Sequence, residues 1–231
     1  MSKRMMGKSG RLGRLLMVAS VAGLMACSSP ADKANRFYEK GMTLLKEGDL
    51  PKARIELQNA LQIKQDMPAA WYALALIAER EGDWQKMFGL LNKVLDYDPK
   101  HVDAQIKLGR LLLAAGQIDK ALAASDATLK LAPARDDVLA LRAAVLYKLG
   151  DKAGALVQAN AALEKNRDNV DALVVLATER LAAQDAVKAI EYLDRGLKLN
   201  EKNIALQLIK VQALESLAKM DSAEEIFRKL V

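Results

Sequence analysis

The chain has 231 residues, 52% of them hydrophobic, with 35 Lys/Arg against 29 Asp/Glu and a formal net charge of +6. The single cysteine, Cys27, excludes a disulfide framework and a thiolate metal cluster. Five of the basic residues (Lys3, Arg4, Lys8, Arg11 and Arg14) precede residue 15 with no acid among them. From residue 27 onward 30 basic residues face 29 acidic ones, a net of about +1, so no basic footprint for nucleic acid remains.

In chain order, the basic start is followed by a short apolar run from Leu15 to Ala26. A membrane span needs about 20 apolar residues, so the run is too short to be an ordinary transmembrane helix. Basic start, short apolar run and small residues before a junction describe a secretory signal peptide over residues 1–26. The tetrapeptide Leu24-Met25-Ala26-Cys27 resembles the lipobox of bacterial lipoproteins. That resemblance implies cleavage before Cys27, acylation of its sulfur and a lipid anchor without a membrane span. Ser28 after the cysteine is similar to outer-membrane sorting signals, with the rest of the chain facing the periplasm. Residues 27–33, polar and proline-containing, read as the acylated cysteine and a short tether.

From residue 34 the chain repeats itself every 34 residues. Gly41, Ala75, Gly109, Ala143, Ala177 and Val211 form one row at that interval, and Ala53, Met87, Ala121, Ala155, Ala189 and Ala223 a second. A third runs Gly48, Gly82, Gly116, Gly150, Gln184 and Ala218. Each unit carries two apolar stripes at helical spacing, such as Trp71, Leu74, Ala75, Ala78 and then Met87, Leu90, Leu91, Val94. Glycine just past a stripe suits the left-handed residue that ends a helix, so Glu81-Gly82-Asp83 and its equivalents read as interhelix turns. Small residues in the first two rows let helices approach closely. Met87 breaks that rule, and Gly89 is expected to make room for it. Pro99 and Pro133 mark unit exits.

The order Trp71, Leu74, Ala75, Ala78, Met87, Leu91, Val94, Pro99 resembles the tetratricopeptide repeat, as does Leu108, Gly109, Leu112, Ala121, Pro133 in the next unit. The resemblance implies an all-α, right-handed superhelical solenoid of about six helical hairpins, at 34–67, 68–101, 102–135, 136–169, 170–203 and 204–231. Arg180 in place of an apolar residue, and the lack of exit prolines, make units five and six the weakest matches. The last stretch, Ile226 to Val231, lacks the usual polar capping helix. A partner or a further part of a longer chain is expected to cover that face.

In such solenoids the first helix of each hairpin lines the concave side. Its fifth positions are Tyr38, Tyr72, Ile106, Ala140, Val174 and Leu208. The ninth are Met42, Leu76, Arg110, Ala144, Thr178 and Gln212, and the twelfth Leu45, Glu79, Leu113, Tyr147, Leu181 and Glu215. Thirteen of the eighteen are apolar or tyrosine, which points to an apolar groove for a partner's amphipathic helix or extended segment. Arg110, with Lys107 nearby, is the cationic point midway. The partner-binding candidates are therefore Tyr38, Tyr72, Ile106, Arg110, Leu113, Tyr147 and Leu181. Tyr72, Leu113 and Tyr147 are expected to be exposed. Met42, Leu76, Ala144 and Val174 divide between binding and packing against neighbouring helices.

No sequence signature of catalysis is present. His101 reads as a solvated turn histidine, and Glu224-Glu225 as an outer, solvated pair. No P-loop, nucleophile elbow or His-Glu-x-x-His occurs, so no cofactor, metal or small-molecule substrate is expected. Two functions fit. One is a non-enzymatic scaffold for envelope proteins, lipid-anchored in the bacterial outer membrane. Its lipobox and repeats resemble those of lipoproteins accompanying exosortase and exopolysaccharide systems or type IV pilus biogenesis. The other is a periplasmic holdase shielding exported clients.

Overall fold

The computed structural model describes residues 29–230. These form twelve helices in six antiparallel hairpins: α1 (Pro30–Glu47), α2 (Leu50–Ile63), α3 (Pro68–Arg80), α4 (Trp84–Tyr97), α5 (Val102–Ala114), α6 (Ile118–Leu131), α7 (Asp136–Leu149), α8 (Lys152–Lys165), α9 (Val170–Ala182), α10 (Ala186–Leu199), α11 (Ile204–Ser216) and α12 (Met220–Leu230). The proposed signal peptide and Cys27 lie outside the described residues.

Residues 30–33, read from sequence as part of a tether, instead form the first turn of α1. The reason is a capping box. The Ser29 hydroxyl accepts from the Asp32 amide at 3.1 Å, and the Asp32 carboxylate accepts from the Ser29 amide at 3.0 Å. Pro30 fits the first helical position because its missing N–H would have no partner there.

Most second helices also start on a side-chain cap. Asp49, Asp83, Asp151 and Asp185 each accept a backbone N–H three residues on, capping α2, α4, α8 and α10. The first helices α5, α9 and α11 use His101, Asn169 and Asn203. His101 is thus a half-buried cap rather than a free turn residue. Its Nδ1 accepts from the Ala104 amide at 3.2 Å, and its ring lies 4.8 Å from that of Tyr72.

The small-residue rows sit where hairpins close. Gly41, Ala75, Gly109, Ala143, Ala177 and Val211 are all buried, as is the whole row from Ala53 to Ala223. At Gly109 the demand is severe: a Cβ there would stand 2.8 Å from Leu141 Cδ2. Between hairpins, Leu57, Leu91, Ser125, Ala159 and Leu193 form a fully buried column, whose last member, Phe227, is 52% exposed. Ser125 is tolerated in this apolar column because its hydroxyl donates to Leu122 O and accepts from Arg142 Nη1.

Met87 is 2% exposed and packs with Leu91 and Val94. Gly89 does not make room for it, since nothing lies within 4 Å of where a Gly89 Cβ would be. Even-numbered helices pack mainly on their chain neighbours, whereas α1 also packs on α3, α5 on α7, α7 on α9 and α9 on α11. The odd-numbered helices therefore line the inner side of the stack. Among these successive pairs α3 and α5 pack least closely, joined by the Lys107–Glu79 ion pair.

Candidate functional site

Direct packing of the odd-numbered helices decides which groove candidates face a partner. Ile106, expected in the binding stripe, is 2% exposed because α7 lies against it; Leu45 and Ala140 are buried in the clusters formed with α2–α3 and with α8–α9. Tyr38, Tyr72, Leu113, Tyr147 and Leu181 are half-buried, and Arg110 is exposed. Of the undecided positions, Met42, Leu76, Ala144 and Val174 are half-buried, each packing on a core cluster while keeping an open edge. Burial thus varies within each row: at the fifth position Ile106 and Ala140 are buried but Leu208 is exposed, and at the twelfth Leu45 is buried while Leu113, Tyr147 and Leu181 keep an open edge.

The middle of the inner face is charged. Lys107 Nζ on α5 donates to both Glu79 oxygens on α3, at 2.7 and 2.6 Å. Arg135 joins Asp103 and Asp137, each at 2.6 Å, and these bonds raise its affinity for its proton. Arg110 pairs with Asp171 on α9, reaching past α7, whose ninth and fifth positions are the small Ala144 and Ala140. Tyr72 lies among these charges. Burial, with the carboxylates of Asp103 and Glu79 adding to it, pushes its hydroxyl up to about 12. Burial raises Tyr147 as well, aided by Glu179. The expected continuous apolar groove is therefore an ion-paired centre flanked by apolar openings.

Two openings concern binding. Tyr147, Thr178, Leu181, Gln212 and Ser216, from α7, α9 and α11, line a hollow of about 280 Å³. It brings together two of the sequence candidates, Tyr147 and Leu181. The second opening, a cleft of about 460 Å³, lies between hairpins two and three, where α3 and α5 pack least closely. Its walls include Trp84, Met87, Leu111 and Ala114, with Glu79, Lys107 and Arg110 at its edge. Trp84 was not among the candidates. Its position on the second helix hid it, although alignment of the repeats shows that it replaces Leu50. Among the described residues no group of three His, Cys, Asp or Glu side chains is arranged to hold a metal. No described helix is long and apolar enough to cross a membrane.

Helical hairpins stacked at a fixed period, with their first helices inward, define a superhelical interaction scaffold. Residues 38–100 and 78–145 match family models of the tetratricopeptide repeat, and the chain carries tetratricopeptide repeats there. No curated protein matches the sequence. Among solved structures, PilF of Pseudomonas aeruginosa is similar at 19% identity and TM-score 0.63, over 87% of this chain and 91% of that one. PilW, a type IV pilus biogenesis factor, is similar at 17% identity and TM-score 0.67, over 85% of this chain and 91% of its own. YrrB, a repeat protein with a peptide-binding site described as unusual, gives 19% identity and TM-score 0.56, over 77% of this chain and 91% of that one. At these identities the likeness is one of fold.

Proposed function

We propose that the chain is a non-enzymatic docking scaffold of the bacterial envelope, anchored in the outer membrane through acylated Cys27, with its repeats in the periplasm. It would support assembly or export of a surface structure such as a pilus or an exopolysaccharide. The hollow formed by Tyr147, Leu181 and Gln212 carries the reading. Three successive first helices present one tyrosine, one leucine and one amide around a common depression. A tyrosine supplies apolar contact area with a polar tip, and such residues anchor protein interfaces. The lipobox-like Leu24-Met25-Ala26-Cys27 supports the anchor, and the pilus-biogenesis description of PilW supports the envelope setting.

Photocrosslinking from positions 147 and 181 in intact cells tests the scaffold. The expected result is one dominant envelope protein at both positions. A broad set of unrelated exported proteins would favour the holdase, and an absence of adducts would refute docking at this hollow. Labelling with a radioactive fatty acid tests the anchor. The label should appear on the wild-type chain and vanish in Cys27→Ala; label retained in the variant overturns acylation at Cys27.

A further inference from the structure

The 34-residue register lets the chain serve as its own control at the cleft between hairpins two and three. At the equivalent corner between hairpins one and two, Arg80 Nη1 donates to Leu45 O at 2.8 Å, and Arg54 pairs with Glu81. One repeat later these three charged residues become Ala114, Phe88 and Ala115, and Leu50 becomes Trp84. The long side chain that crossed the first corner is gone. An opening of about 460 Å³ takes its place, and Trp84, which lines it, is 56% exposed. An exposed tryptophan beside an unfilled apolar cleft is a feature of recognition surfaces rather than of a finished core.

Charge has moved as well. Ala73 and Leu76 of the first corner correspond to Lys107 and Arg110, so two cations now edge the opening on the groove side, against one acid, Glu79. Lys107 is committed to Glu79. Among the described residues Arg110 pairs with Asp171 alone, with side chains 43% and 42% exposed, and another carboxylate can compete for it.

We infer that this cleft is a docking pocket for an acidic segment of a partner protein, which inserts one bulky apolar side chain between Trp84 and Leu111 and places an adjacent carboxylate on Arg110. The apolar walls set the side chain, and Arg110, whose pair with Asp171 is open to exchange, sets the neighbour. A basic segment fails at Arg110, and a purely polar one fails at the apolar walls. This rests on the reading of the chain as a protein-binding scaffold and assigns a chemistry to part of its partner. The site is separate from the Tyr147 hollow.

The test uses the full chain carrying Trp71→Phe, which leaves Trp84 as its one tryptophan. Capped peptides in a Gly-Ser frame present Glu-Phe-Glu, Gln-Phe-Gln, Glu-Ala-Glu or Lys-Phe-Lys, and Trp84 emission reports binding. Glu-Phe-Glu should give a saturable change that Glu-Ala-Glu and Lys-Phe-Lys do not. Ala114→Arg, which restores the crossing side chain of the first corner, should weaken Glu-Phe-Glu by about 10-fold or more, equivalent to about 1.4 kcal/mol. Arg110→Gln should reduce Glu-Phe-Glu to the level of Gln-Phe-Gln. Helicity by circular dichroism checks that Ala114→Arg folds. Trp84→Ala, followed with fluorescently labelled peptide, gives an independent loss of binding. No saturable change up to about 1 mM, equal binding of Lys-Phe-Lys, or unchanged binding in the folded Ala114→Arg protein would overturn the assignment. The crosslinks from positions 147 and 181 read the scaffold separately, so either reading can fail while the other stands.

Discussion

The left-handed turn row offers the cleanest thermodynamic experiment. Gly48, Gly82, Gly116 and Gly150 take φ between +70° and +88°, and at the same place in the last two hairpins stand Gln184 at +63° and Ala218 at +57°. A left-handed conformation costs an L-residue roughly 1–2 kcal/mol relative to glycine. The added side chain also restricts the unfolded chain, which returns about 0.4–1 kcal/mol. Around Gly116 nothing lies within 4 Å of a Cβ, so no steric term enters. Gly116→Ala should therefore destabilise by about 1 kcal/mol, and Ala218→Gly should stabilise the terminal hairpin by about the same amount. Stacked repeats need not unfold in one step. Urea denaturation should thus be read alongside hydrogen exchange of amides in α5–α6 and α11–α12. Slower exchange in α11–α12 for Ala218→Gly, with α5–α6 unchanged, is the expected pattern. A neutral Gly116→Ala, or a destabilised Ala218→Gly, would refute the argument that these turns store backbone strain.

Other outcomes follow from the packing and the charges. Gly109→Ala should cost about 1–3 kcal/mol by urea denaturation, the usual range for overpacking. Trimming the opposing side chain, Leu141→Val, should make the double variant less costly than the sum of the singles; simple additivity would show that the close approach to Leu141 is not the cause. Tyr72 holds its proton more tightly folded than unfolded, so its contribution is intact below pH 10 and is lost as pH rises towards about 12. Denaturation of wild type and Tyr72→Phe between pH 9 and 11.5 should show wild type losing stability faster; parallel curves would refute the raised value.

What could be read from the sequence was whatever the period makes visible. The rows through Gly109 and Ala121 place every hairpin, because a residue that must be small for helices to close must be small in each repeat. Averaging over repeats also caused the misses. The row places Ile106 in the groove, yet the row's members differ: α7 packs closely enough on α5 to bury Ile106, whereas the looser packing of α5 on α3 leaves Tyr72 half-buried. Met87 was recognised as an oversized member, but its consequence is a wall of the cleft beside Trp84 rather than a fit against Gly89. The cleft itself was encoded in the departure of Ala114 from Arg80, visible only when one repeat is read against another. The Arg110–Asp171 pair carried no signal of its own, since it joins hairpins that are not neighbours in the stack.

That pair has a mechanical consequence. A stack in which each unit touches only the next behaves as a chain of springs in series, and its energy is a sum over adjacent joints. A bond from the third hairpin to the fifth adds a strut that shortens when the coil tightens and breaks when it straightens. Lying between two partly wetted side chains, the strut is soft and weakens as counter-ions screen it. The coil's rest length then depends on the ionic medium, and the groove can widen over those hairpins without disturbing a single buried leucine.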